Sequence, residues 1–124
     1  MEKIMTVILF MLFSSVGLLA QENVVLKTGA VVAKADEKGT YTWDDAVKQC
    51  ASKGKGWRLL SKNELNEMFV VKKKIGGFRN GWYWSATENG QFAANAWCQD
   101  FESGEQSYES EFYLDYNVRC VRKL

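Results

Sequence analysis

The sequence predicts an α+β domain, with short opening strands, two helices and then a run of short antiparallel strands. Two segments, around Trp43–Ala51 and Lys62–Lys73, carry apolar residues at helical spacing, and each follows a capping-box pattern. After Gly76-Gly77 the pattern changes to short aromatic and β-branched segments bounded by Asn80-Gly81, Asn89-Gly90 and Ser103-Gly104. Three cysteines lie behind an export-type leader, which adds the expectation of one disulfide.

The leader spans 1–20. Lys3 supplies its positive start, Val7 to Phe13 form its apolar heart, and Gly17-Leu18-Leu19-Ala20 offers a small residue before Gln21. This apolar run is shorter than a membrane span requires. The expectation is a cleaved signal peptide and an exported chain, periplasmic, cell-surface or secreted, with no membrane span after cleavage. About 104 residues would then remain, which is one domain. Within them, 21–39 read as an N-terminal strand region, with β-branched residues around Gly29, and 40–124 as the main domain.

Thr42 with Asp45 opens the first helix, where Trp43, Ala46, Val47, Cys50 and Ala51 share a face. Gly54 and Gly56 end it. Ser61 with Glu64 opens the second, predicted from Lys62 to about Lys73, with Leu65, Met68 and Phe69 on one face. Lys72-Lys73-Lys74 suits the negative end of its dipole. Trp82–Thr87, Ala94–Phe101 and Val118–Arg122 are expected strands, and Glu105–Tyr113 reads as strand, loop or both.

One disulfide leaves one thiol over. Cys50–Cys120 and Cys98–Cys120 are the two pairings considered; the first is favoured because it would tie the first helix to the last strand, closing a loop of about 70 residues. Cys98 is then the free thiol, either a buried small hydrophobe or available for an intermolecular bridge.

Net charge is +1, unevenly spread: residues 22–79 carry +5, 80–118 carry −7 with no Lys or Arg, and 119–124 carry +3. The acidic stretch and the compartment argue against a nucleic-acid partner. The sequence contains no histidine and no proline. Serine–histidine and cysteine–histidine nucleophile pairs are therefore excluded, and no catalytic or metal-ligating constellation stands out. Asp44 with Asp45 and Glu109 with Glu111 read as solvated surface acids. No cofactor is expected, although an oxygen-only calcium site in the acidic segment stays open.

Trp43-x-x-Ala46-x-x-x-Cys50, Gly56-Trp57-Arg58-Leu59, Tyr83-Trp84-Ser85-Ala86-Thr87, Ala96-Trp97, Phe101-x-x-Gly104 and Val118-Arg119-Cys120-Val121-Arg122 follow in order. Together they resemble the C-terminal domain family of bacterial collagen-like adhesins, which shares its pattern with the Fibrobacter major paralogous domain. The resemblance covers about residues 40 to 122 and implies a variant of the C-type-lectin-like fold. Leu60-Ser61 replaces the family's usual Pro-Thr or Pro-Ser. The Glu-Pro-Asn and Gln-Pro-Asp triplets of calcium-dependent sugar-binding lectins cannot occur without proline, and Trp97-Cys98-Gln99-Asp100 replaces a Trp-Asn-Asp triplet. Tyr83–Val121 also resembles, more narrowly, the variable region of lectin-fold proteins diversified by retroelements.

Trp57, Trp84 and Trp97 are expected mainly in the core, and Arg58 and Arg119 in packed ion pairs. Trp82, Phe92, Tyr108, Phe112, Tyr113 and Tyr116 lie in polar or acidic surroundings instead. With Asn89, Asn95 and Asp115 they are the candidate recognition residues, all but Trp82 within the displayed segment 89–117. The expected function is an exported, non-catalytic binding module for a protein or glycan at the cell surface. The alternative is a structural or assembly subunit of a surface complex, and the third is a retroelement-diversified binding protein.

Overall fold

The computed structural model describes residues 23–92 and 94–124; the expected signal peptide lies outside them. The elements are β1 (Val31–Val32), α1 (Trp43–Ala51), β2 (Trp57–Leu59), α2 (Lys62–Val70), α3 (Lys72–Ile75), β3 (Trp82–Glu88), β4 (Asn95–Asp100), β5 (Gln106–Ser110) and β6 (Cys120–Arg122). They form two three-stranded sheets, β1-β6-β2 and β3-β4-β5. Every strand pairing within them is antiparallel.

The first sheet joins the two ends of the domain. β6, last in the chain, lies between β1 and β2, with Val31 opposite Arg122 and Leu59 opposite Cys120. β3, β4 and β5 form a meander, with Trp84 opposite Cys98 and Trp97 opposite Tyr108. The single bridge Tyr83–Asn117 ties the connection after β5 back to β3, and Tyr41–Tyr116 joins that connection to the segment before α1.

α1 begins after Thr42, whose backbone is extended as a cap requires, with Asp44 and Asp45 in the first turn. The Thr42 side chain makes no capping hydrogen bond, so the expected capping box is absent there. Ala46 and Cys50, four residues apart, face the core. At α2 the box is complete: the Glu64 N–H donates to Ser61 Oγ at 3.2 Å, and the Ser61 N–H to Glu64 Oε1 at 2.9 Å. The single helix expected from Lys62 to Lys73 is instead interrupted at Val71 (φ −103°, ψ 19°), and the chain resumes as the short α3. Lys72 does not cap its own helix; its ammonium donates to the Phe101 carbonyl at 2.6 Å and lies over the Phe69 ring. Gly76 and Gly77, both with positive φ, then end the helical stretch.

Alternation along β3 divides the interior in two. Tyr83 enters a cluster with Leu60, Leu65, Met68, Phe101 and Val121, whereas Trp84 enters one with Ala46, Cys50, Leu59, Cys98, Val118 and Cys120. β3 is thus covered on both faces and carries the buried run Tyr83-Trp84-Ser85. Both indole donors in this region are satisfied, Trp84 Nε1 by the Tyr41 carbonyl at 2.7 Å and Trp43 Nε1 by the Ser85 carbonyl at 2.8 Å.

Cys50 and Cys120 are bonded, linking α1 to β6 across a separation of 70 residues. Cys98 is fully buried and donates to the Ser107 carbonyl at 3.4 Å, so it is the small hydrophobe and not an available thiol. Burial, aided by the Glu109 charge, pushes its pKa up to about 12. The closing strand starts at Cys120, not Val118, because the Val118 carbonyl accepts from the Glu37 N–H, outside the ladder.

Candidate functional site

The segment 89–117 is built from the turn before β4, from β4 and β5 with the turn between them, and from the connection between β5 and β6. Asn89 shapes the first turn: its side-chain oxygen accepts from the Gln91 N–H at 2.9 Å, and its own N–H donates to the Asn95 carbonyl at 2.8 Å. Ala94 stands in the left-handed region (φ 64°), which is unfavourable for a residue with a Cβ. Asn95 opens β4 opposite Ser110, and Asp115 lies exposed on the later connection.

The aromatic candidates fall into three groups. Phe92 and Tyr108 stack with ring centroids 5.4 Å apart and planes 14° from parallel. Trp97 meets Tyr108 edge-on at 5.2 Å, and the Lys62 ammonium lies 3.5 Å over the Trp97 ring. Trp97 is thus half-buried at the margin of the core, where the motif had suggested interior packing; Trp57 is half-buried too. Phe112 and Tyr113 form the second group, 66% and 86% exposed. Trp82 and Tyr116 form the third: they stack on each other and pack against the cluster containing Trp84. Among the described residues, the four exposed large aromatics are Phe92, Tyr108, Phe112 and Tyr113, and all lie within 89–117.

Acidic residues behave less uniformly than the sequence suggests. Glu111 is not a solvated acid: it is 7% exposed, and its Oε2 is buried without a hydrogen-bond partner. Burial, then the Glu88 carboxyl beside it, then the Glu88 and Asp44 charges raise its pKa to about 7. Its neighbour is therefore Glu88, from the end of β3, and not Glu109. Among the described residues no group of three or more Asp, Glu or Cys side chains gathers in a way that could hold a metal ion.

Arg58 and Arg119 take the ion-pair roles expected of them. Arg58 grips Glu64 with two hydrogen bonds of 2.7 and 2.9 Å. Arg119 is fully buried and bonds Asp36, the Ala33 carbonyl and the Gly76 carbonyl. Asp36 is a residue that motif reading passed over; it also accepts from the Tyr83 hydroxyl. A groove of about 520 Å³ runs along α2, lined by Lys27, Asn63, Glu67, Val70 and Gln106, and only Gln106 comes from the strands near the aromatic surface.

Helices pack against a fold whose last strand pairs with its first, and the exposed aromatics lie on β5, on the turn before β4 and on the connection after β5. That architecture is C-type-lectin-like. It matches the crystal structure of the C-type-lectin-like protein botrocetin with a TM-score of 0.58 at 12% identity, over 84% of this chain and 98% of that one. The chain belongs to the Lcl C-terminal domain family, whose model matches residues 21–122. No curated protein matches the sequence. Among the described residues, no helix is long and apolar enough to cross a membrane.

Proposed function

We propose that this domain is an exported, non-catalytic binding module that recognises a protein or glycan at the cell surface through residues 89–117. The observation that carries the reading is the concentration on that one segment of all four large aromatics exposed among the described residues. Exposed aromatics supply contact area at low entropic cost, and here they stand as two adjacent-ring pairs, Phe92 with Tyr108 and Phe112 with Tyr113. The lectin-like fold and the family membership agree with binding rather than catalysis. The disulfide agrees with an oxidising compartment outside the cytoplasm. Kinship with the collagen-like adhesins, as the motifs suggest, would place the module on a surface-exposed protein.

A glycan array and a pull-down from surface extracts, each run with the wild type and with Phe92→Ala and Tyr113→Ala, test the reading. Ligand retained by the wild type and lost from the variants, with melting unchanged, is the expected result. Variants that keep full binding would remove 89–117 as the surface. An assembly role for the same aromatics is favoured by the exposure of Phe112 and Tyr113, and a stable oligomer in solution would select it.

A further inference from the structure

We infer that β5 is an open docking edge, which takes up an extended, basic segment of a partner protein as a further strand of the β3-β4-β5 sheet. The proposal deepens the functional reading and rests on it, because β5 lies within the surface assigned above.

The order β3-β4-β5 leaves β5 with β4 as its paired neighbour and its other side at the margin of the sheet. Two bonds at the ends of that pairing set its phase: Asp100 N–H to the Glu105 carbonyl at 2.8 Å, and Glu111 N–H to the Ala94 carbonyl at 2.9 Å. Odd-numbered residues of β5 therefore bond β4, and Gln106, Tyr108 and Ser110 turn their N–H and C=O groups outward. Among the described residues, no loop or side chain hydrogen-bonds these outward groups.

The opposite margin of the same sheet is closed. On β3 the Trp84 N–H donates to the Asn117 carbonyl at 3.2 Å, and the Ala86 N–H to the Leu60 carbonyl at 2.6 Å. The Trp82 carbonyl accepts from the Asn117 N–H at 3.0 Å. β5 also lacks common protections of an edge: its pairing with β4 runs without a bulge, and the strand holds no proline or lysine. It carries acid instead, and the acid selects the occupant.

Glu105 and Glu109 lie on one face of β5, while Tyr108 on the other stacks on Phe92 and meets Trp97 edge-on. The Lys62 ammonium over Trp97 keeps further cations off that aromatic face. A second copy of the chain fits poorly. Two β5 strands centred antiparallel on Tyr108 would set Glu105 opposite Glu111, and each copy brings the −7 of residues 80–118. A strand with Lys or Arg at alternate positions sets them beside Glu105 and Glu109, with its intervening apolar side chains against the Tyr108 ring. The apolar residue opposite Tyr108 is then the one that exchanges backbone bonds with it.

The test titrates the full mature chain with the peptide Lys-Val-Lys-Val-Lys-Val-Lys and follows amide exchange by NMR. Without peptide, the Gln106, Tyr108 and Ser110 amides should exchange readily, alternating with protected Ser107 and Glu109. At saturation those outward amides should slow roughly tenfold, while Ser107 and Glu109 change little. N-methylation of the peptide's valines should abolish binding, and N-methylation of its lysines should leave it. Glu-Val-Glu-Val-Glu-Val-Glu should not bind, and Glu105→Lys should weaken the basic peptide roughly fivefold with melting unchanged. Outward amides already protected in the free chain, binding that leaves them unslowed, equal binding of the acidic peptide, or no binding at millimolar peptide would each overturn the strand addition. A surface ligand lost on Tyr113→Ala while these amides stay free in the complex would sink the strand addition alone. A peptide that slows them, beside Phe92→Ala and Tyr113→Ala variants that keep the surface ligand, would sink the recognition surface alone.

Discussion

The guanidinium of Arg119 donates through Nε to Asp36 Oδ1 at 2.6 Å, joining residues 83 apart in the chain. The side chains are 0% and 5% exposed. Around this pair close the Tyr83 hydroxyl, the Ala33 and Gly76 carbonyls, and the Phe78 ring 4.0 Å from the guanidinium carbon. The pair thereby links the segment after β1, the α3 terminus, β3 and the approach to β6. Buried charges of this kind are tolerated because each guanidinium nitrogen donates to an acceptor.

Removing one partner leaves the other charge buried and alone. Arg119→Ala should lower unfolding free energy by about 3–5 kcal/mol, and Asp36→Ala by a similar amount. Arg119→Lys should recover little of that, because an ammonium cannot span three acceptors as the planar fork does. Urea unfolding followed by tryptophan fluorescence measures both.

Opening the Cys50–Cys120 link restores chain entropy to the unfolded state across 70 residues. The double variant Cys50→Ala, Cys120→Ala should lose roughly 4 kcal/mol by the loop-closure relation. Calorimetry with and without reductant should show the wild type falling towards the variant, and an unaltered melting temperature on reduction would contradict the link.

Glu64 answers acid in the direction opposite to Glu111. Hydrogen bonding from Arg58 is the largest cause that holds its carboxyl near pKa 2, against an ordinary 4.5, with Ser61 and Thr28 assisting against burial. A depressed carboxyl pKa contributes stability above about pH 4.5 that is lost as pH falls towards 2. Glu64→Gln should flatten that acid limb, seen as a smaller drop in denaturation midpoint between neutral and acid buffer.

Gly104 is held at φ +86°, and a Cβ there would stand 2.6 Å from Phe69 Cε2. Gly104→Ala should therefore cost about 1–3 kcal/mol through backbone strain and overpacking together. Pairing it with Phe69→Leu should recover the steric part alone, which a double-variant cycle measures.

Local signals proved legible where neighbours in sequence decide the structure. Ser61 and Glu64 cap each other within one turn, and Ala46 and Cys50 share a helix face, so both helix starts could be read directly. Trp97 and Glu111 could not. A tryptophan inside a family-like motif resembles core, and an acid in an acidic stretch resembles surface. Their surroundings come from elsewhere: Lys62 and Tyr108 around Trp97, Glu88 and Asp44 around Glu111.

Residue order alone determined the class of the domain, the two helix starts, the turn positions and the absence of histidine chemistry, because capping, periodicity and composition act over a few residues. The tertiary structure decided which cysteines meet, which carboxyl is buried, which aromatics stay exposed and what Arg119 pairs with. Each of those depends on segments tens of residues apart brought together by the register of β6 between β1 and β2 and by the two covered faces of β3. No local pattern encodes such distances.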